Sequence, residues 1–305
     1  MEKAKTDLQK RIESGRTILL AEISPPKGSD PGPLRNTARC YAGKVHALGI
    51  CDNRHGVCMS AMAAASLVAA EGIEPILHIV SRDRNRIALI SDCLGSDALG
   101  IRNLLCTTGT HQTLGPCGAA KNVFDVDSIQ LLRMLGDLPA NASLVGEGSL
   151  NGMGPFCLGG VASPYADPME MQMLRLSKKV SAGACFLITQ PVFDLDRFDA
   201  WWKEVTAHGL HEKVAILAGI RPLTIADEAK AYAEKRPLPF VPKAVLDRIA
   251  SKTDTSDQRE IGIRIALETI DRLSRSPGLR GFSIQSDGDD EAVLEIIEKS
   301  ERGTR

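Results

Sequence analysis

Short apolar runs recur along the chain at Ile18–Ser24, Val45–Cys51, Pro75–Val80, Ile101–Thr107, Phe156–Ala162, Cys185–Thr189, Val214–Ala218 and Gly281–Gln285. Each is followed by a polar knot and then by an amphipathic stretch. Near-continuous apolar runs of this length predict parallel strands buried on both faces. The stretches between them carry helix signals. Asp167-Pro168-Met-Glu170 reads as an N-cap, a proline at the first helical position and an early acid, opening a helix that ends at Gly183. Asp125 similarly precedes Val126–Leu135, with Gly136 as the stop. About eight strand–helix repeats favour a closed (β/α)8 barrel over an open doubly wound sheet.

Two segments interrupt the repeat. Leu138–Gly154 has an extra apolar run and glycines at 146, 148, 152 and 154, and Arg236–Glu260 has prolines at 237, 239 and 242 before a Ser/Thr/Asp stretch. Barrel elements continue on both sides of each, so neither predicts a domain linker. The expected organisation is one α/β domain over 1–305: an N-terminal helix to about 15, the barrel to about 288 and a charged, partly helical tail.

Charge and composition narrow the partners. Thirty-seven Lys plus Arg balance 38 Asp plus Glu, so no net field draws the molecule to nucleic acid or an acidic membrane. Met1–Glu13 is charged rather than apolar, unlike a secretory leader. The apolar run Val57–Ala70 is too short to span a bilayer and predicts a buried barrel helix. The eight cysteines include no CxxC pair. Free thiols in a reducing cytoplasm are therefore expected, with Cys117 as the exposed one. The six histidines lack metal-ligand spacing apart from the pair His208/His211 at an expected helix end, and no metal is expected.

Barrel chemistry belongs at the C-terminal strand ends. Those ends read Glu22-Ile-Ser-Pro-Pro26, Asp52-Asn53, His78 with Arg82-Asp-Arg-Asn-Arg86, Thr107-Thr-Gly-Thr-His111, Ser163-Pro164, Thr189-Gln190-Pro191 and Gly219-Ile-Arg221-Pro222. Glu22 interrupts an apolar strand. Burial there raises a carboxyl toward a general acid, unless a barrel Lys or Arg neutralises it. Arg82–Arg86 is either a diphosphate clamp or a solvated first helical turn. Gly109 allows close backbone approach to a flat or phosphorylated ligand, or simply makes a turn. His78 is either a cofactor contact or a satisfied core histidine. The glycines at 146–154 lack the dinucleotide spacing.

Taken together, Ala21–Lys27, His78–Arg86, Gly100–Gly109, Ala182–Gln190 with Phe193-Asp194, and Gly219–Pro222 resemble the methylenetetrahydrofolate reductase family, in particular its short bacterial catalytic barrels. The resemblance implies a TIM barrel holding FAD (or FMN) across its mouth, with a reduced folate stacked on the flavin. Hydride from flavin N5 would convert 5,10-methylene- to 5-methyltetrahydrofolate. It implies that Glu22 is the general acid and that Gln190 hydrogen-bonds the pterin, with Glu228 and Asp52 also on the substrate. Flavin contacts would come from His78, Arg82, Thr107, Thr108, Gly109, Thr110, Asp125, Ser163 and Lys179. Electrons would come from NAD(P)H or a protein donor, in a homo-oligomer or with a partner subunit.

The chain departs from the family pattern in places. Thr110 stands where the family carries an aspartate beside the flavin and the pterin, which removes a bidentate acceptor. Gly159 and Ser163 replace a tyrosine and a histidine of some relatives. Glu228 replaces a glutamine, and an arginine after strand eight is lost near Asp289. Two other readings therefore stand beside the reductase. One is a reductase or oxidase of another reduced pterin. The other is a non-redox pterin-binding barrel within a larger methyl-transfer complex.

Overall fold

All eight expected strands form. A computed structural model describes residues 4–138, 150, 153–235 and 240–303. The strands are β1 (Ile18–Ile23), β2 (Ala47–Ile50), β3 (Pro75–Val80), β4 (Asn103–Thr107), β5 (Cys157–Ala162), β6 (Phe186–Pro191), β7 (Ala215–Ile220) and β8 (Gly281–Gln285). Each pairs in parallel with its sequence neighbour, and β1 pairs with β8 to close the barrel. The helices are α1 (Asp7–Glu13), α2 (Gly32–Tyr41), α3 (Ala61–Ala70), α4 (Arg86–Ala98), α5 (Ser128–Asp137), α6 (Met169–Ser181), α7 (Leu195–Ala207), α8 (Ala226–Lys235), α9 (Lys243–Ala250), α10 (Thr255–Ser274) and α11 (Asp290–Gly303). No described helix is long and apolar enough to cross a membrane.

Strand periodicity sorts the side chains into two cores. Ile18, Leu20, Ala47, Ile76, Leu105, Cys157, Phe186, Ile188, Ala215 and Leu217 fill the barrel interior. Their alternates, including Ala21, Ile23, Leu48, Leu77, Leu104, Leu158, Leu187 and Ile216, pack under the helices. α1 stoppers the N-terminal end. Leu8 joins the inner cluster, and the backbone N–H groups of Asp7 and Leu8 donate to the Glu74 carboxylate at 2.9 and 3.1 Å. That acid at a helix start also favours the helix dipole.

Two expected caps are displaced by a few residues. α5 is capped by Asp127, which accepts from the N–H groups of Ile129 and Gln130 while Gln130 bonds back to Asp127. Gly136 lies within α5, where a Cβ would come 3.3 Å from Ala182 O, so the glycine marks a close approach, not a stop. α6 starts at Met169 with no side-chain cap bond from its N-cap, Pro168. Asp167 instead ion-pairs with Arg197 at 3.1 Å.

α3 forms inside Val57–Ala70 and buries Ala61, Ala64, Ala65 and Val68, but Val57 itself is exposed. Most of Leu138–Gly154, including glycines 146, 148 and 152, lies outside the described residues, as do prolines 237 and 239. The polar stretch before Glu260 supplies Asp254, which caps α10. The expected charged tail is α11, whose Ala292, Val293, Ile296 and Ile297 are buried. All eight cysteines are free; Cys40 is the exposed one, and Cys117 is half-buried.

Gly159 faces into the barrel beside Phe186, its register partner, and a Cβ there would fall within the Phe186 ring. Gly159→Ala should therefore cost about 1–3 kcal/mol through overpacking, read by urea denaturation. Adding Phe186→Leu should restore most of that loss. A single variant as stable as the parent would show that the ring does not depend on the missing side chain.

Candidate active site

The inward row of β1 ends at Glu22, which is 5% exposed. The closed register sets it between Gly49 of β2 and Gln285 of β8. Gly49 matters because a Cβ there would come 3.0 Å from His78 Nε2. Its absence lets His78 reach inward from β3, to 3.8 Å from Glu22 Oε2. The Cys51 thiol at the end of β2 also hydrogen-bonds Glu22.

The chain then turns through Asn53, whose φ is +48°, and brings Arg54 back over the mouth. Arg54 donates from Nη1 to Glu22 Oε1 and from Nη2 to Gln285 Oε1 at 3.0 Å. Asp287, in the turn after β8, gathers the next layer of charge. His55 Nε2 lies 2.8 Å from its Oδ1, Arg54 Nε 3.8 Å, and Arg221 pairs with its Oδ2. The Arg221 guanidinium lies 4.0 Å from the Tyr232 ring centroid, a cation–π distance.

This pairing overturns the expected protonation of Glu22. Burial pushes its pKa up, but Arg54, His78, the Cys51 thiol and His55 together hold it below the ordinary carboxylate value. Glu22 is thus an ionised, charge-compensated carboxylate in this state, not a poised acid. Burial and the adjacent Glu22 charge push the Cys51 thiol well up. Burial lowers His78, against the pull of Glu22. The donor atoms of Glu22, Cys51 and His78 lie within 4.8 Å of one another, a proximity that sequence spacing hides. The guanidinium on the carboxylate and the protonated thiol nevertheless make the trio a poor cation site.

On the β3–β5 side the expected ligand groups are bound to one another. Arg82 donates to Asp83 from Nε at 2.9 Å and Nη2 at 2.8 Å, and from Nη1 to Thr110 O at 3.1 Å. Arg84 grips Asp52 and pairs with Asp92 at 2.9 Å. Asp52, expected on the substrate, also accepts from Val80 N at 3.2 Å and is 3% exposed. Asp125, expected on the flavin, accepts from Arg86 N at 2.9 Å and Nε at 3.2 Å. The Thr108 hydroxyl accepts from Ser128 N at 2.9 Å, at the start of α5.

Gly109 has φ +85°, and a Cβ would lie 2.6 Å from Val80 Cγ1. The glycine turn is real, and packing against β3 requires it. Lys179, on α6, donates to Val161 O. Burial and then Arg175 lower its pKa to about 8. Thr107 and Ser163 are half-buried at the ends of β4 and β5, and Thr110 is exposed.

β6 delivers Gln190. The β6–β7 register shifts between Ile188 and Pro191. Thr189 pins the shift by donating to Gln190 O at 2.8 Å and accepting from Gly219 N at 2.9 Å. The Gln190 Oε1 atom is buried and has no hydrogen-bond partner among the described residues. Glu228 is exposed on the first turn of α8, apart from this buried set. The residues that sequence reasoning passed over are Arg54, His55, Gln285 and Asp287. The available signal was that Arg54-His55 immediately follows a strand end and that Asp287 follows another.

Residues 7–301 match the methylenetetrahydrofolate reductase family. A probable NADPH-type methylenetetrahydrofolate reductase of Caenorhabditis elegans is 22% identical over 79% of this chain and 35% of its own length. The 5,10-methylenetetrahydrofolate reductase of Salmonella typhimurium is 24% identical over 69% and 64%, respectively. The chain thus spans about a third of the nematode relative and just under two thirds of the bacterial one. Among solved structures, an uncharacterised protein from Clostridium thermocellum that binds two copies of 5-methyl-5,6,7,8-tetrahydrofolic acid superposes with a TM-score of 0.65 at 14% identity, covering 96% of this chain and 98% of that one. A closed eight-stranded barrel with its polar groups at the mouth, matched across nearly its whole length, places this chain in the methylenetetrahydrofolate reductase family.

Proposed function

We propose that the barrel mouth binds a reduced folate and interconverts its 5,10-methylene and 5-methyl forms. One observation carries this reading: an inward carboxylate, Glu22, shares the mouth with Gln190, whose buried amide oxygen lacks a partner among the described residues. A buried acceptor left unpaired costs about 1–3 kcal/mol, and a pterin edge offers the N–H donors that would satisfy it. The free thiols and balanced charge suit a cytoplasmic enzyme.

Opening the methylene bridge requires a proton at the folate N10. Glu22 cannot give one while Arg54 holds it ionised. A substrate that takes the place of Arg54 removes the strongest opposing charge. Burial alone then acts on the carboxyl and drives it toward the protonated form. Glu22 is in this reading an acid armed by its substrate, with His78 beside it. In the reverse direction the same carboxylate accepts the N10 proton.

The reduction also needs a two-electron donor. A bound flavin would supply hydride, and NAD(P)H or a protein donor would reduce it. The groups expected to hold the flavin phosphates are already engaged within the chain, so they do not fit that cofactor, and no step is assigned to it.

Four outcomes test the reading. Glu22→Gln should abolish methylene–methyl interconversion yet leave 5-methyltetrahydrofolate binding within a few-fold by calorimetry. Gln190→Ala should weaken that binding about tenfold, the counterpart of an unmade hydrogen bond. Full turnover by both variants would end the assignment. Calorimetry near pH 7 in buffers of different ionisation enthalpy should show proton uptake on folate binding, absent in Glu22→Gln. Finally, folding lowers the Glu22 pKa, so its pairing adds stability above the unfolded value of roughly 4.3, which is lost as pH falls through the lower folded value. Between about pH 5 and 3 the parent should lose stability more steeply than Glu22→Gln in urea melts.

A further inference from the structure

We infer that this chain keeps no resident flavin dinucleotide and that its mouth serves the folate alone, with reducing equivalents arriving from a separate hydride donor. The inference rests on the folate reading above and is carried by the β3–β5 wall. A dinucleotide brings two phosphate charges, which proteins meet with arginine forks, lysines or uncapped helix N-termini.

Here most of these receptors are already used. Arg82 is closed on Asp83 through two parallel bonds and spends its remaining terminal nitrogen on Thr110 O. Arg84 is shared between Asp52 and Asp92. Arg86 holds Asp125. Three cations thus face four carboxylates, and the local balance is already negative. A phosphate would have to displace a carboxylate from Arg82 or Arg84 and leave it uncompensated, which is costly where the pair is buried, whereas Arg86 spends only its Nε on Asp125 and is exposed.

Two of the three helix N-termini on this wall are covered as well. At α4, Asn85 accepts from Ala88 N at 3.1 Å and Asp125 from Arg86 N at 2.9 Å. At α5, Asp127 and the Thr108 hydroxyl cover the first N–H groups. α6 has no side-chain cap bond, but Glu170 in its first turn repels an anion. The buried amine of Lys179 is turned onto Val161 O. The opposite wall has the character of a substrate site instead, with an unpaired acceptor on Gln190 and a carboxylate whose counter-ion reaches in from a loop.

The test uses the full chain as purified. Flavin is released by heat and measured in the visible bands. FAD and FMN are then titrated by fluorescence quenching, and 5-methyltetrahydrofolate is titrated separately by calorimetry. The expected result is substoichiometric flavin, no saturable binding of FAD or FMN, and saturable folate binding. One flavin per chain, or tight FAD binding, overturns the inference while leaving the folate reading intact. Absent folate binding in a flavin-free chain overturns the folate reading and, with it, the assignment of the mouth. A gain-of-function arm separates the cause. The variant Asp83→Asn frees the Arg82 fork, and FAD affinity should rise at least about tenfold. Unchanged affinity in that folded variant overturns internal pairing as the reason for exclusion.

Discussion

A carboxylate at the end of an apolar cylinder has to be compensated, and the mouth of this barrel is organised around that requirement. Glu22 is fixed by register between β2 and β8. The loop after β2 therefore folds back to bring a guanidinium to it, and Gln285 takes the second nitrogen of that guanidinium. The missing side chain at Gly49 admits His78 to the same spot. Removing the acid would leave a buried cation in its place, so acid, arginine and amide stand or fall as a group.

The strands were legible because parallel strands buried on both faces write themselves as apolar runs. Their boundaries shift by a few residues, as in Val45–Cys51 against Ala47–Ile50. Caps were less legible: Asp125 and Asp127 are two residues apart and chemically alike, and only the backbone turn decides which one meets the N–H groups of α5. Glu22 stood out as a lone acid in an apolar run. Its protonation state did not, because Arg54 lies 32 residues away in a loop and Gln285 lies 231 from Arg54. The arginines of 82–86 were visible as a cluster, and Asp83 on Arg82 is local, but the acids on Arg84 and Arg86, Asp52, Asp92 and Asp125, come from three different segments. Sequence shows which charges exist, and the fold decides which of them cancel.

The two walls of the mouth consequently differ in kind. The β3–β5 wall is a lattice of ion pairs, with the starts of α4 and α5 capped. The wall formed by β6 and its neighbours across the axis carries an unsatisfied acceptor and a pair that a ligand can exchange. Family membership and the fold are shared with the reductases.

Asp287 ties loops from distant parts of the sequence. One carboxylate, in a left-handed turn at φ +43°, holds His55 and Arg54 from the β2 loop and Arg221 from the β7 loop. Neither loop can swing away without breaking a bond to the same two oxygens. A single carboxylate thus fastens opposite sides of the rim, so opening either loop breaks a bond that the other shares.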